Sequence, residues 1–203
     1  MPLLCLGNDF VNLTFDRPDL SGSLTPIFPG GPLRGKTSEL LQGWTLLANG
    51  TPLDSMVYSP SPLGSARPAT LSENPPDAVG TQFGRYSLIL GSSPPNSAKF
   101  NLHQSGTIPP NATGFRFFTT GTVELRINGE AVGVGDPFIT AYPEINVSRF
   151  AGQTVDLEFS IGKDVGLQFD IFGFTQIPEP STWMLLGVGA AGLVWQRRRH
   201  RSR

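Results

Sequence analysis

Val123-Glu-Leu-Arg-Ile127-Asn128-Gly129 decides the fold. Apolar residues occupy every second position, so a strand here puts Val123, Leu125 and Ile127 on one face and Glu124 and Arg126 on the other. Asn-Gly directly after such a run is the strongest short hairpin signal. The alternation recurs in Val155-Asp-Leu-Glu-Phe-Ser-Ile161, and in Leu167-Gln-Phe-Asp-Ile171, which runs into Phe172-Gly-Phe174. Phe115-Arg-Phe117 and Tyr86-Ser-Leu88-Ile-Leu90 lie between Gly or Pro turn signals, and Phe10-Val-Asn-Leu-Thr-Phe15 reads as an opening strand. Helical periodicity is nearly absent; its best candidate, Thr37-Ser-Glu-Leu-Leu-Gln42, stops at Gly43. Residues 53–76, with their prolines, read as a long surface loop. Short strands with one wet face and Gly/Pro turns predict an all-β fold, an antiparallel jelly-roll-like β-sandwich over residues 1–176.

Composition agrees with that. The 203 residues suit one domain. Glycine (24) and proline (19) make up about a fifth of the chain, below the ~25–30 % typical of disorder. Charged residues are 15 %, against ~25 % in an average domain. Residues 1–176 carry 15 acids and 10 bases, and five arginines crowd the last seven positions. An acidic body does not bind nucleic acid by releasing counterions, so no nucleic acid partner is expected. A lone Cys5 excludes an internal disulfide framework or a cysteine metal cluster, and His103 is the single histidine of the body. No Lys/Arg-led apolar segment opens the chain, so no N-terminal export signal is legible; a gene start assigned too late is the expected reason.

Gly30-Gly-Pro-Leu-Arg-Gly35-Lys36-Thr37 fits the phosphate-loop pattern. That loop requires a buried parallel strand before it and a helix N-terminus after it. Pro26-Ile-Phe-Pro29 precedes it and Gly43 soon follows, so a Gly/Pro loop and no nucleotide are expected. One body histidine and one cysteine leave little material for a catalytic triad, and no catalytic residue is assigned. Asp156 and Glu158 share a strand face and read as solvated acids. Asp9, Asp16, Asp19, Asp136, Asp164 and Asp170 fall near expected loops; no metal ligand is assigned, although jelly rolls often hold a structural Ca²⁺ with such oxygens. Trp44, Tyr58 and Tyr142 are candidate glycan contacts, because aromatic faces stack on sugar rings; for Trp44 a core position is the competing expectation.

The C-terminus is tripartite. Ile177-Pro178-Glu179-Pro180-Ser-Thr182 precedes 13 apolar residues from Trp183 to Trp195, and Arg197, Arg198, Arg199 and Arg201 follow. As a helix the apolar run is about 20 Å long, against a hydrocarbon core of ~30 Å. It has no polar face. Trp183 and Trp195 suit the two interfaces, and the arginines would stay on the cytoplasmic side.

This order resembles the PEP-CTERM sorting signal of exopolysaccharide-producing Gram-negative bacteria, over residues 177–203. The resemblance implies recognition of Pro178, Glu179 and Pro180 by exosortase, a membrane-embedded cysteine protease or transpeptidase. Residues 183–195 would then be a transient membrane anchor, and Arg197, Arg198, Arg199 and Arg201 the stop-transfer. The two prolines keep the segment extended, as a protease cleft requires. The body resembles the jelly-roll domains often found ahead of this signal, through Asn12-Leu-Thr-Phe15-Asp16-Arg-Pro18, Gly43-Trp44, Asn128-Gly129, Arg149-Phe-Ala-Gly-Gln-Thr-Val155 and Leu167-Gln-Phe-Asp170-Ile-Phe172. The expectation is an exported, non-enzymatic surface or matrix protein whose body is structural, adhesive or weakly glycan-binding, with exopolysaccharide as a candidate partner. The alternatives are a secreted glycan-active enzyme and a permanently anchored membrane protein.

Overall fold

The structure is a computed structural model. It describes residues 3–5, 10–15, 17–22, 24–59, 69–73, 85–91, 98–136, 143–162 and 167–176. In chain order the strands begin with β1 (Leu3–Cys5), β2 (Thr25–Pro26), β3 (Leu33–Lys36), β4 (Thr45–Ala48) and β5 (Thr51–Pro52). They continue with β6 (Ser55–Ser59), β7 (Ala69–Glu73), β8 (Tyr86–Leu90), β9 (Phe100–Thr107) and β10 (Ala112–Thr119). The last five are β11 (Val123–Ile127), β12 (Glu130–Gly135), β13 (Glu144–Asn146), β14 (Thr154–Ile161) and β15 (Leu167–Gln176). One helical turn, α1 (Thr37–Leu40), separates β3 from β4.

Two sheets result. The larger runs β13-β10-β15-β8-β7-β6-β3-β2, with β1 also paired to β15; the smaller runs β12-β11-β14-β9-β4-β5. An all-β body in two sheets is therefore observed. Their inward residues form one core, in which Phe159 of β14 packs against Phe169 of β15 at 4.8 Å and Phe117 of β10 at 5.6 Å between ring centroids. Phe115 meets Phe174 at 4.9 Å.

The opening hairpin forms as expected. Val123, Leu125 and Ile127 are buried and Glu124 and Arg126 half-buried. Asn128 (φ 52°) and Gly129 (φ 79°) both take the left-handed conformation that a two-residue hairpin turn requires. Val155–Ile161 lies within β14, with the expected residues inward. In β15 the alternation resets. Gly173 opposes Arg116 and Ile171 opposes Phe117, which leaves Phe172 as the extra residue of a β-bulge. Phe169, Ile171 and Phe174 all reach the core because of it.

Four expectations are corrected. The sandwich is not wholly antiparallel, because β6 and β7 pair in parallel through Val57↔Thr70 and Tyr58↔Leu71. The same two strands lie inside the stretch expected to be a loop. Met56, Val57, Tyr58 and Ser59 are all buried, as are Ala69, Thr70, Leu71 and Ser72, so both faces are covered and no alternation marks them. Residues 10–15 form turns instead of an opening strand; Asn12 (φ 51°) and Phe15 (φ 59°) turn the chain so that Phe10, Leu13 and Phe15 all reach the core. Asp170, expected near a loop and on the wet face of its strand, is fully buried within β15.

Residues 30–37 do not form a phosphate loop. Leu33–Lys36 is an antiparallel strand between β2 and β6, followed by the single turn of α1. The expected C-terminal helix between Trp183 and Trp195 lies outside the described residues. No helix among the described residues is long and apolar enough to cross a membrane.

Candidate functional site

The outward face of the smaller sheet carries most of the polar side chains that could meet a ligand. Antiparallel register sets them in rows. Arg126 of β11 lies beside Glu158 of β14, Glu158 beside His103 of β9, and His103 beside Thr45 of β4. One row along, Asp156 lies beside Ser105. Strand alternation requires this: Val155, Leu157 and Phe159 fill the core, so Asp156 and Glu158 must face out.

Those side chains are held by one another. Ser105 Oγ donates to Asp156 Oδ1 at 2.5 Å, and Asn101 Nδ2 donates to Glu158 Oε1. Asn128 Oδ1 accepts from the Asp156 amide at 2.9 Å, tying the hairpin turn to β14. Arg126 donates to Glu124 Oε1 at 2.6 Å and through Nη2 to the Gly129 carbonyl at 2.7 Å.

A depression of about 400 Å³ lies on this face, lined by Gly43, Thr45, His103, Gln104, Ser105, Gly129, Asp156 and Glu158. Gly43 holds φ 81°, and a Cβ there would sit 2.5 Å from Gln104 Nε2, so only glycine fits. Gln104 is 5 % exposed. Its amide nitrogen donates to the Val11 carbonyl at 2.6 Å, and its Oε1 has no hydrogen-bond partner.

A second depression, of about 530 Å³, lies where the two sheets meet at α1. Lys36, Thr37, Ser38 and Asp54 line it beside Leu46 and Leu53. Its charges are largely spoken for, since Lys36 Nζ pairs with Glu39 Oε1 at 3.0 Å.

The expected aromatic contacts are placed otherwise. Trp44 is 4 % exposed; its ring lies 5.8 Å from Phe15 and 6.0 Å from Phe159, and Nε1 donates to the Asn12 carbonyl at 3.1 Å. Tyr58 is 6 % exposed, packs near Tyr86 and donates to Glu73 Oε2 at 2.9 Å. Both rings are buried in the core, and Trp44 also lines the second depression. Tyr142 lies outside the described residues, as do Asp9, Asp16 and Asp164. Asp19 accepts from the Ser21 amide and hydroxyl at 2.9 and 2.6 Å, which holds its carboxyl below the usual range. Among the described residues no three His, Cys, Asp or Glu side chains converge as a metal site would require.

Ser105, Asn101 and Gln104 were not singled out by the sequence, and His103 was noted only as the one histidine of the body. In β9 only Phe100 and Leu102 carry an apolar alternation, which Gln104 and Gly106 then interrupt.

The larger sheet ends, in chain order, at Gln176 of β15, which opposes Ala112 of β10 and Leu3 of β1. Pro178, Glu179 and Pro180, Trp183 and Trp195, and the arginine cluster all follow it, beyond the described residues. Residues 176–199 match the PEP-CTERM protein-sorting motif. The PEP-CTERM motif thus begins on the last residue of β15, and a signal of this kind implies export through exosortase. No curated protein matches the chain. Among solved structures it is similar to the carbohydrate-binding module TmCBM61 in complex with beta-1,4-galactotriose, at 16% identity and a TM-score of 0.42, covering 85% of this chain and 99% of that one. It is also similar to the enzymatically active domain of bacteriophage CBA120 tailspike protein 4, at 18% identity and a TM-score of 0.36, covering 66% of this chain and 20% of that one.

Proposed function

We propose that this is a cell-surface or extracellular-matrix protein of an exopolysaccharide-producing bacterium. Exosortase recognises Pro178, Glu179 and Pro180 and processes the chain near them. The apolar run between Trp183 and Trp195 holds it briefly in the membrane, and Arg197, Arg198, Arg199 and Arg201 stop transfer. The body is delivered folded, as a structural or adhesive module with weak affinity for matrix polysaccharide. The observation that carries this reading is the sorting motif at 176–199, directly after the last strand. A Pro-Glu-Pro that follows a folded strand in sequence suits a protease, because its prolines oppose regular hydrogen bonding and cleavage needs chain free of it.

Intact mass of the protein recovered from its host tests it. The mature form should lack the arginine tail, and replacing Pro178, Glu179 and Pro180 together by alanine should preserve the full mass. A tail retained on the wild type supports permanent anchoring instead. Wild-type protein found in the cytoplasm at full mass defeats the proposal.

One observation favours a second reading, a glycan-active enzyme. Asp156 and Glu158 line the same depression, and positions two apart on a strand are about 7 Å apart, within the span of inverting glycosidases. Both carboxylates stand on one strand, however, rather than on opposite sides of a cleft. Release of new reducing ends from a polysaccharide, abolished by Glu158→Gln, would establish this reading over the first.

A further inference from the structure

We infer that the depression between β4, β9 and β14 is a saccharide site selective for uncharged sugars, read by hydrogen bonds rather than by aromatic stacking. The inference rests on the glycan-binding part of the proposed function and gives it a location.

The chemistry of the lining sets the ligand class. Asp156 and Glu158 accept hydrogen bonds only, and His103 and the hydroxyls of Thr45 and Ser105 can donate or accept. Among the described residues no Lys or Arg lines the depression, and Arg126, at its Gly129 rim, is held by the Gly129 carbonyl and Glu124. A ligand there must bring donors, and a carboxylated or phosphorylated sugar would face two like charges. Sugar hydroxyls are such donors, and several lie on one ring edge.

Preorganisation favours binding over mere solvation. Each carboxylate has one oxygen fixed by β9, through Ser105 to Asp156 Oδ1 and through Asn101 to Glu158 Oε1. The second oxygen of each is held in a set direction, so little side-chain entropy remains to be lost on binding. Gln104 alternates with His103 and Ser105 on β9, so its amide belongs to the core side, where Nε2 donates to the Val11 carbonyl at 2.6 Å. A single ammonium group would answer the two carboxylates but not Thr45, His103 and Ser105 as well.

The Gly129 flank also fits an extended ligand. Nothing lies within 4 Å of where a Cβ of Gly129 would be, so that side is open.

The test uses the mature protein from its host in affinity electrophoresis, with a neutral glucan, galactan or mannan in the gel and polygalacturonate as the acidic comparison. At least one neutral polymer should retard the protein, persisting in roughly 1 M salt, where exposed charge attraction is screened; polygalacturonate should not. Asp156→Asn and Glu158→Gln should each weaken retardation about tenfold, and Thr45→Arg, on an exposed position, should block it. Lys99→Gln, which removes an exposed charge outside the depression, should leave it unchanged. Far- and near-UV circular dichroism verifies that each variant is folded. Wild-type retardation unaltered in all three depression variants overturns the site but leaves glycan binding standing. No retardation by any neutral polymer overturns the site and the glycan-binding reading together, while the sorting reading is judged separately by mass. Binding that salt abolishes, or that prefers polygalacturonate, overturns the selectivity.

Discussion

The indole nitrogen of Trp44 donates to the backbone carbonyl of Asn12, 32 residues earlier, at 3.1 Å. The bond ties the start of β4 to the turn that closes one end of the sandwich, and it fixes the ring between Phe15 and Phe159. Trp44→Ala should therefore cost about 3–5 kcal/mol, lowering the melting temperature by roughly 6–20 °C. Trp44→Phe keeps most of the volume and loses the bond, at about 1 kcal/mol. Thermal unfolding followed by circular dichroism checks both.

Phe172 supplies a second expectation. It is the extra residue of the bulge in β15, and the bulge keeps Phe174 in phase with Ile171 on the inner face. Deleting it should leave Phe174 on the inner face, because the pairs Phe117–Ile171, Arg116–Gly173 and Phe115–Phe174 then follow one another without a shift. Deleting Phe172 and Gly173 together moves Phe174 by one further residue to the wrong face and should be far more damaging, since a one-residue slip inverts every side chain. Soluble yield and near-UV circular dichroism compare the two; equal stability would contradict the phase argument.

Acid and alkali should each find a weak point at one cluster. Tyr58 donates to Glu73 Oε2 at 2.9 Å, and Arg85 bonds Glu73 Oε1 at 2.9–3.0 Å. The Tyr58 hydroxyl and the Arg85 guanidinium hold the Glu73 carboxyl below its usual range. A lowered carboxyl contributes stability above its ordinary value of about 4.3 and loses it as pH falls through the folded-state value. Burial, then the Glu73 bond, pushes the Tyr58 hydroxyl up. Its contribution is complete below about 10 and is lost as pH rises above that. The wild type should therefore melt a few degrees above Glu73→Gln at neutral pH, the gap closing under acid. Above pH ~10 the wild type should lose stability faster than Tyr58→Phe.

The hairpin turn carries a fourth. Asn128 has positive φ, its Oδ1 accepts from the Asp156 amide at 2.9 Å, and its own amide donates to the Asp156 carbonyl at 2.9 Å. Asn128→Ala removes the side-chain bond and penalises the left-handed backbone, at about 1–2 kcal/mol. Asn128→Gly removes the same bond without the backbone penalty and should cost less. Urea midpoints at constant slope measure the difference.

Half-buried strands were legible because one wet face imposes a period of two. Val123–Ile127 and β14 show it residue by residue. Strands covered on both faces lose that signature, and so β6 and β7 were invisible among prolines and serines. The N-terminal turns misled because Phe10 and Phe15 are as apolar as any strand, while the backbone that buries both depends on Asn12 and Phe15 at positive φ. Asp156 and Glu158 could be placed on one face, but the depression also needs His103 and Thr45 brought alongside by the β9–β14 and β4–β9 registers. Pairing between segments some 50 residues apart is not written in either one alone.

β15 lies between β8 and β10 and also carries β1, yet it is the last strand among the described residues. Without it the larger sheet falls into β13-β10, β8-β7-β6-β3-β2 and an unpaired β1. The strand nearest the sorting motif in sequence is therefore the keystone of that sheet, and truncation ahead of Leu167 would leave three pieces with raw edges.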